Sequence, residues 1–107
     1  MPEGFPVLYT MTARTAPEDV EAFIGLLVRD YDPSLARVGG KLLHRWRTLD
    51  NAYREAEVAS TWQLESLTAF KDFRQGTVAG DDPSWNRFVL NGMPLVKSGT
   101  RRFYRMA

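Results

Sequence analysis

Cysteine is absent from the chain, and histidine occurs once, as His44. Without cysteine there is no disulfide, no thiolate nucleophile and no cysteine-ligated metal. One histidine among scattered carboxylates offers none of the usual metal-ligand spacings, so no metal or heme is expected. Long apolar runs are missing as well. No stretch approaches the roughly 18 residues that a membrane span needs. The start, MPEGFPVLY, has neither the basic segment nor the apolar run of a signal peptide. A soluble, cytoplasmic protein without a membrane partner is the expectation. Excess charge is lacking too: 14 basic and 13 acidic residues leave +1. A nucleic-acid binder concentrates positive charge in a patch or stripe. Here the signs alternate until Arg101, Arg102 and Arg105, which read as a charged edge that discourages unwanted strand pairing. No nucleic-acid partner is expected. Glycine-rich phosphate loops are absent, since Gly39-Gly40 and Gly76 to Gly80 match neither a Walker nor a dinucleotide fingerprint. Asp81-Asp82, ahead of Pro83 and Ser84, reads as a solvated loop and not as a cation site.

What is present is the composition of one ordinary globular domain, residues 1–107, with 44% apolar and 25% charged residues. VLYTMTAR, residues 7–14, reads as a strand. Thr15 and Glu18 have the spacing of a capping box, with Pro17 in the first turn. Val20, Phe23, Ile24, Leu27, Val28 and Tyr31 then form one helical stripe. Asp32-Pro33 is expected to stop that helix. KLLHRWRTL (41–49) and YREAEVASTW (53–62) read as two strands joined at Asp50-Asn51. A register with Arg47 opposite Glu55 and Arg45 opposite Glu57 pairs opposite charges across the ladder. Side chains alternate along a strand. That register therefore puts Leu42, His44 and Trp46 on one face with Ala56, Val58, Ser60 and Trp62. A second helix carries Leu64, Leu67, Phe70 and Phe73 and is interrupted between Gly76 and Gly80. Ser84 is the expected cap of a short helix with Trp85, Phe88 and Val89, ended by Gly92 and Pro94. Residues 95–105 read as a last strand ending in RRFYR.

The order β-α-β-β-α-β is the ferredoxin-like arrangement: an α+β fold with a four-stranded antiparallel sheet and helices on one face. The uncovered face is expected to pair with that of a second copy, giving a homodimer through the sheet.

The chain resembles the antibiotic biosynthesis monooxygenase-like family over nearly its whole length in element order. The residues that carry this are Trp62 at the end of strand three, the helix start LESLTAF that follows it, and the turn TLDN. The resemblance implies a dimeric α+β barrel and a cleft between helices and sheet bordered by Trp62. There an aromatic or heme substrate meets oxygen without a separate cofactor. The heme-degrading branch also uses an Asn on strand one and a His near the end of the second helix, and this sequence has neither. The polar partners used on strand three by the quinol-oxidising branch fall at Val58 and Ala59.

His44, Trp46 and Trp62 form the candidate constellation. Trp46 and Trp62 would hold a planar substrate while His44, which titrates near neutrality, exchanges a proton. The plainer reading is a core histidine among core aromatics. Tyr9, Met11 and Tyr104 are further candidates for lining the substrate pocket, or else plain core. The pairs Arg45–Glu57 and Arg47–Glu55 are expected to be structural. Two functions follow. One is a cofactor-independent monooxygenase for an aromatic or polyketide-like molecule, in which the deprotonated substrate supplies the electrons and the protein supplies orientation, a base and exclusion of water. The other is a non-catalytic dimer of the same fold that binds a small ligand or another protein.

Overall fold

In the computed structural model, residues 5–49 and 55–105 are described. Four strands, β1 (Val7–Thr15), β2 (Lys41–Arg47), β3 (Ala56–Leu64) and β4 (Ser98–Arg105), form one antiparallel sheet in the order β2-β3-β1-β4. Four helical segments, α1 (Val20–Leu26), α2 (Asp32–Arg37), α3 (Leu67–Ala79) and α4 (Pro83–Asn91), complete the described fold. The sheet with helices packed on one face is the expected ferredoxin-like architecture.

The two central strands show why it forms. Along β1, Val7, Tyr9, Met11, Ala13 and Thr15 are buried while their neighbours are half exposed, and β3 repeats the pattern from Ala56 to Leu64. Period-two burial is the mark of a sheet covered on one side only. The helices contribute Val20, Phe23, Leu27, Tyr31, Leu35, Ala69, Phe73 and Phe88 to the same core.

Several boundaries differ from the sequence reading. Thr15 ends β1 and caps nothing; Pro17–Asp19 form a single tight turn before α1. Pro33 does not stop the first helix. Residues 27–31 form a wider turn, in which the Asp32 N–H donates to the Leu27 carbonyl five residues back. A proline inside a regular helix clashes with the preceding turn and lacks a donor. Widening the turn just before Pro33 lets the helical path continue into α2. The wide turn also buries two consecutive residues, Asp30 and Tyr31. The Asp30 carboxylate accepts from Arg29 and Arg87, each at 3.1 Å, which ties this turn to α4. The hydrogen bond from Arg29 is the main cause that holds the Asp30 carboxyl below its ordinary pKa, against burial and with help from Arg87.

Leu64 ends β3, and Ser66 caps α3 by accepting from the Ala69 N–H. Gly76 sits inside α3 without interrupting it; the helix ends at Gly80, whose φ of 75° suits glycine. Asp82, rather than Ser84, caps α4.

The β2–β3 register is the largest correction. Arg45 lies opposite Ser60 and Arg47 opposite Val58, with an irregularity between Leu42 and His44. The extra residue of a bulge reverses the alternation of side chains beyond it. Leu42 therefore shares the face of Trp62, as expected, but His44 and Trp46 lie opposite Thr61 and Ala59 on the helix-free face. Arg45 and Arg47 turn toward the helices instead. The Arg45 guanidinium holds the Asp32 carboxylate in a bidentate pair at 2.8 and 2.9 Å and donates to Ser60 Oγ at 2.8 Å. Arg47 pairs with Glu21 of α1. Neither pairs with Glu57, which is bound at 3.0 Å by Arg14, its direct neighbour on β1. The expected Asp50-Asn51 turn lies outside the described residues.

Trp62 is 2% exposed and packs under the helices, and its Nε1 has no hydrogen-bond partner among the described residues. Trp62→Phe retains most of the apolar volume and breaks no recorded hydrogen bond, so its melting temperature should stay close to that of the wild type. Trp62→Ala should cost about 3–5 kcal/mol in denaturant unfolding. A negligible loss from Trp62→Ala would refute a packing role.

Candidate functional site

The helix-covered side of β1 and β4 borders an open cavity of about 490 Å³, within the range of small-molecule sites. Its floor comes from the sheet. Met11 and Ala13 of β1 lie directly opposite Arg101 and Gly99 of β4, and all four line the cavity. Phe23 of α1, Tyr31 of the wide turn, and Trp85 and Phe88 of α4 form the helical wall; Met93 and Val96, after α4, complete it.

The wall is held by aromatic contacts. The Tyr31 ring lies 5.2 Å from Phe88 and 5.7 Å from Trp85, centroid to centroid, and Phe23 lies 6.0 Å from Phe88. These spacings fall in the range that tilted and edge-on aromatic pairs prefer. Gly92 packs closely against this wall, since a Cβ there would come within 2.6 Å of the Phe88 ring.

The polar part is small. The Tyr9 and Tyr31 hydroxyls share a buried hydrogen bond of 2.9 Å. Burial pushes the Tyr31 hydroxyl well above the ordinary tyrosine pKa, and the adjacent Tyr9 adds to this. Burial also raises Tyr9, against the lowering effect of its bond to Tyr31 and of the charges on Arg101 and Arg74. Both rings are therefore neutral across the physiological range. Neither is a base there, but each is a hydrogen-bond donor. The cavity wall contains aromatic and apolar groups, the Thr12 and Thr100 positions, one hydroxyl pair at its edge and one cation. Such a wall can hold a planar molecule and orient one polar end. Among the described residues, no three His, Cys, Asp or Glu gather to hold a metal ion, and no helix is long and apolar enough to cross a membrane.

The residues singled out from the sequence are divided by the fold. Met11 lines the cavity, and Tyr9 stands at its edge through its bond to Tyr31. Trp62 lies directly opposite Tyr9 on the same sheet face but is not among the lining residues. His44 and Trp46 are neighbours, with ring centroids 5.5 Å apart, but they sit on the opposite face, and Trp46 is 52% exposed. The expected cluster of His44, Trp46 and Trp62 is therefore not formed: the bulge in β2 turned two of its members away. Phe23, Tyr31, Trp85, Phe88, Met93 and Arg101 were missed as site residues. The aromatic stripe read as core, and Arg101 read as solvated edge. Its place opposite Met11 was the available signal, and that requires knowing which strand lies beside β1.

Comparison with known proteins places the fold. Similar structures include a NIPSNAP family protein from Agrobacterium tumefaciens, with a TM-score of 0.75 at 16% identity, covering 96% of this chain and 87% of that one. An uncharacterized NIPSNAP domain protein from Burkholderia xenovorans aligns with a TM-score of 0.73 at 16% identity over 94% of each chain. A Chloroflexus aurantiacus protein provisionally named an antibiotic biosynthesis monooxygenase aligns with a TM-score of 0.60 at 15% identity, covering 95% of this chain and 93% of that one. At these identities the likeness concerns the fold, which is the one shared by NIPSNAP and antibiotic biosynthesis monooxygenase-like proteins. No protein-family model matches the chain, and no curated protein matches it.

The neutral Tyr9–Tyr31 pair has a consequence at high pH. Both folded pKa values lie above the ordinary 10.0. The folded state thus keeps these protons when the unfolded chain has lost them, and stability falls as pH rises past 10.0 toward the raised values. Tyr31→Phe should lower stability near neutrality, by about 1 kcal/mol for the lost hydrogen bond, and flatten the alkaline fall. Denaturant unfolding at a series of alkaline pH values measures both. An unchanged alkaline slope would show that the pair does not titrate as described.

Proposed function

We propose that the protein binds a planar, largely apolar small molecule in the cavity between the β1–β4 side of the sheet and α1 and α4. One observation supports this best: an aromatic-walled space of about 490 Å³ stands beside a few polar groups, Arg101 and the Tyr9–Tyr31 hydroxyls. Met11 and the Tyr9–Tyr31 pair remain site residues in this reading. Trp62 supports the floor from the neighbouring strand. His44 and Trp46 have no part in it.

The second reading is oxygenation of that molecule without a separate cofactor. It is supported by the fold shared with the Chloroflexus protein and by an aromatic-walled site that can hold a planar substrate. No histidine lines the cavity, so the substrate must ionise through its own acidity, as an enol or phenol does. For a ring methylene next to such a group, the substrate carbanion adds oxygen. The resulting peroxide takes a proton, and water leaves as the carbonyl forms. The protein's contribution is orientation and charge stabilisation.

A panel of two- and three-ring aromatic molecules tests both readings. A ligand present at a hundred times its Kd should stabilise the protein by about 2.7 kcal/mol in thermal or denaturant unfolding. Ala13→Leu, which fills the cavity from its floor, should abolish binding, and Trp85→Ala should weaken it. Absence of binding to the wild type would end the proposal. Oxygen uptake above the spontaneous rate, measured on the same complexes, separates oxygenation from binding alone.

The helix-free face belongs to the same proposal. It presents Leu8, Thr10, Thr12 and Arg14 on β1, Ala59 and Thr61 on β3, His44 and Trp46 on β2, and Tyr104 on β4. An exposed tryptophan and an exposed tyrosine on a strand surface favour coverage by a second copy. Light scattering at micromolar concentration should give a dimer mass, and Trp46→Glu should shift it toward the monomer. A monomer mass for the wild type would exclude a dimer through this face.

A further inference from the structure

Among the described residues, six arginines, Arg14, Arg29, Arg37, Arg45, Arg47 and Arg87, hold a carboxylate, and Arg74, Arg101, Arg102 and Arg105 do not. Arg105 lies over the Phe5 ring, 4.3 Å from its centroid. Among the described residues, Arg101 holds no carboxylate, and it is the one cation that lines the cavity. It faces inward because it lies directly opposite Met11, on the helix-covered side of the sheet. Among the described residues, no acidic side chain lines the cavity to balance it.

A donor stands at the same end. The Tyr9 and Tyr31 hydroxyls use one of their two protons in their mutual bond. When Tyr9 donates, the proton of Tyr31, whose side chain lines the cavity, is free for a ligand. Arg101 lies opposite Met11, two residues along β1 from Tyr9, and Arg101 and Tyr31 both line the cavity, so cation and donor face the same space. A cation together with a neutral hydroxyl donor suits an oxyanion. Apolar and aromatic walls suit rings.

We propose that the ligand is an aromatic carboxylic acid, bound as the carboxylate by Arg101 and the Tyr31 hydroxyl, with its rings against Phe23, Trp85 and Phe88. This rests on the cavity being the binding site. It adds the charge that the ligand carries and the residues that read it. A charge-assisted hydrogen bond is shorter and stronger than a neutral one. The site should therefore separate an acid from an uncharged molecule of the same shape.

Naphthalene-2-carboxylate and naphthalene-2-carboxamide make that comparison. Titration calorimetry on the full chain at neutral pH should show the carboxylate binding about ten- to a hundredfold more tightly than the amide. Arg101→Met should remove this preference and leave amide binding nearly unchanged. Arg101→Lys should retain part of it. Tyr31→Phe should weaken carboxylate binding more than amide binding. Arg101 is exposed on an edge strand, so thermal melts of its variants should match the wild type and rule out a folding defect. Equal binding of the two probes, or a preference that survives Arg101→Met, would overturn the carboxylate reading and leave the cavity standing as a site. If neither probe binds, the cavity reading falls and takes this one with it.

Discussion

The hydroxyl contact between Tyr9 and Tyr31 is the constraint on which the site depends. It joins the middle of a central strand to the widened turn of the first helix, inside the core. A buried hydroxyl without a partner is costly, so each tyrosine fixes the other. Tyr31 must then lie against Phe73, Trp85 and Phe88, which locates α4 over the sheet. Tyr9 must lie between Phe70 and Phe103, which locates α3 and β4. The space left between these contacts is the cavity. The wide turn at 27–31 takes part in the same arrangement, because it carries Pro33 without ending the helix and brings Asp30 and Tyr31 inside together. Such wide turns often mark functional positions.

A second constraint is the irregularity at Leu43. One extra residue in β2 sends His44 and Trp46 to the helix-free face and turns Arg45 and Arg47 toward the helices. The energetic reason is visible in the partners. Arg45 finds both oxygens of Asp32 and the Ser60 hydroxyl in a half-buried site, a stronger arrangement than an exposed pair across a ladder. The face that received His44 and Trp46 is the face with room for a second copy. The two sides of the sheet thus differ in kind: one carries the helices and a cavity, and the other has no helix over it.

The distribution of charge follows the same division. Carboxylates neutralise the arginines that tie helices to the sheet and to one another. The cavity end of β4 carries a positive charge with a neutral hydroxyl beside it. In the proposed reading the cavity serves recognition first. Any reaction there must begin from an ionised ligand, since burial keeps the tyrosines protonated and the histidine lies elsewhere.

The element order, the fold class and the one-sided burial of β1 and β3 were legible in the sequence. Each of these is written in local periodicity: two along strands, three to four along helices. Met11 and Tyr9 were legible as inward-facing residues for the same reason. The register of β2 was not, because a bulge is a choice between competing partners, and Asp32 lies outside the hairpin. The continuation of the helix through Pro33 was not legible either, since it depends on a wide turn stabilised by buried contacts of Asp30 and Tyr31 with distant residues. Arg101 could not be told from Arg102 by sequence. Only the pairing of β4 with β1, and the helices lying on one side of that pair, decide which arginine meets the cavity and which does not. Periodicity states that a side chain alternates; tertiary packing decides what stands on each side.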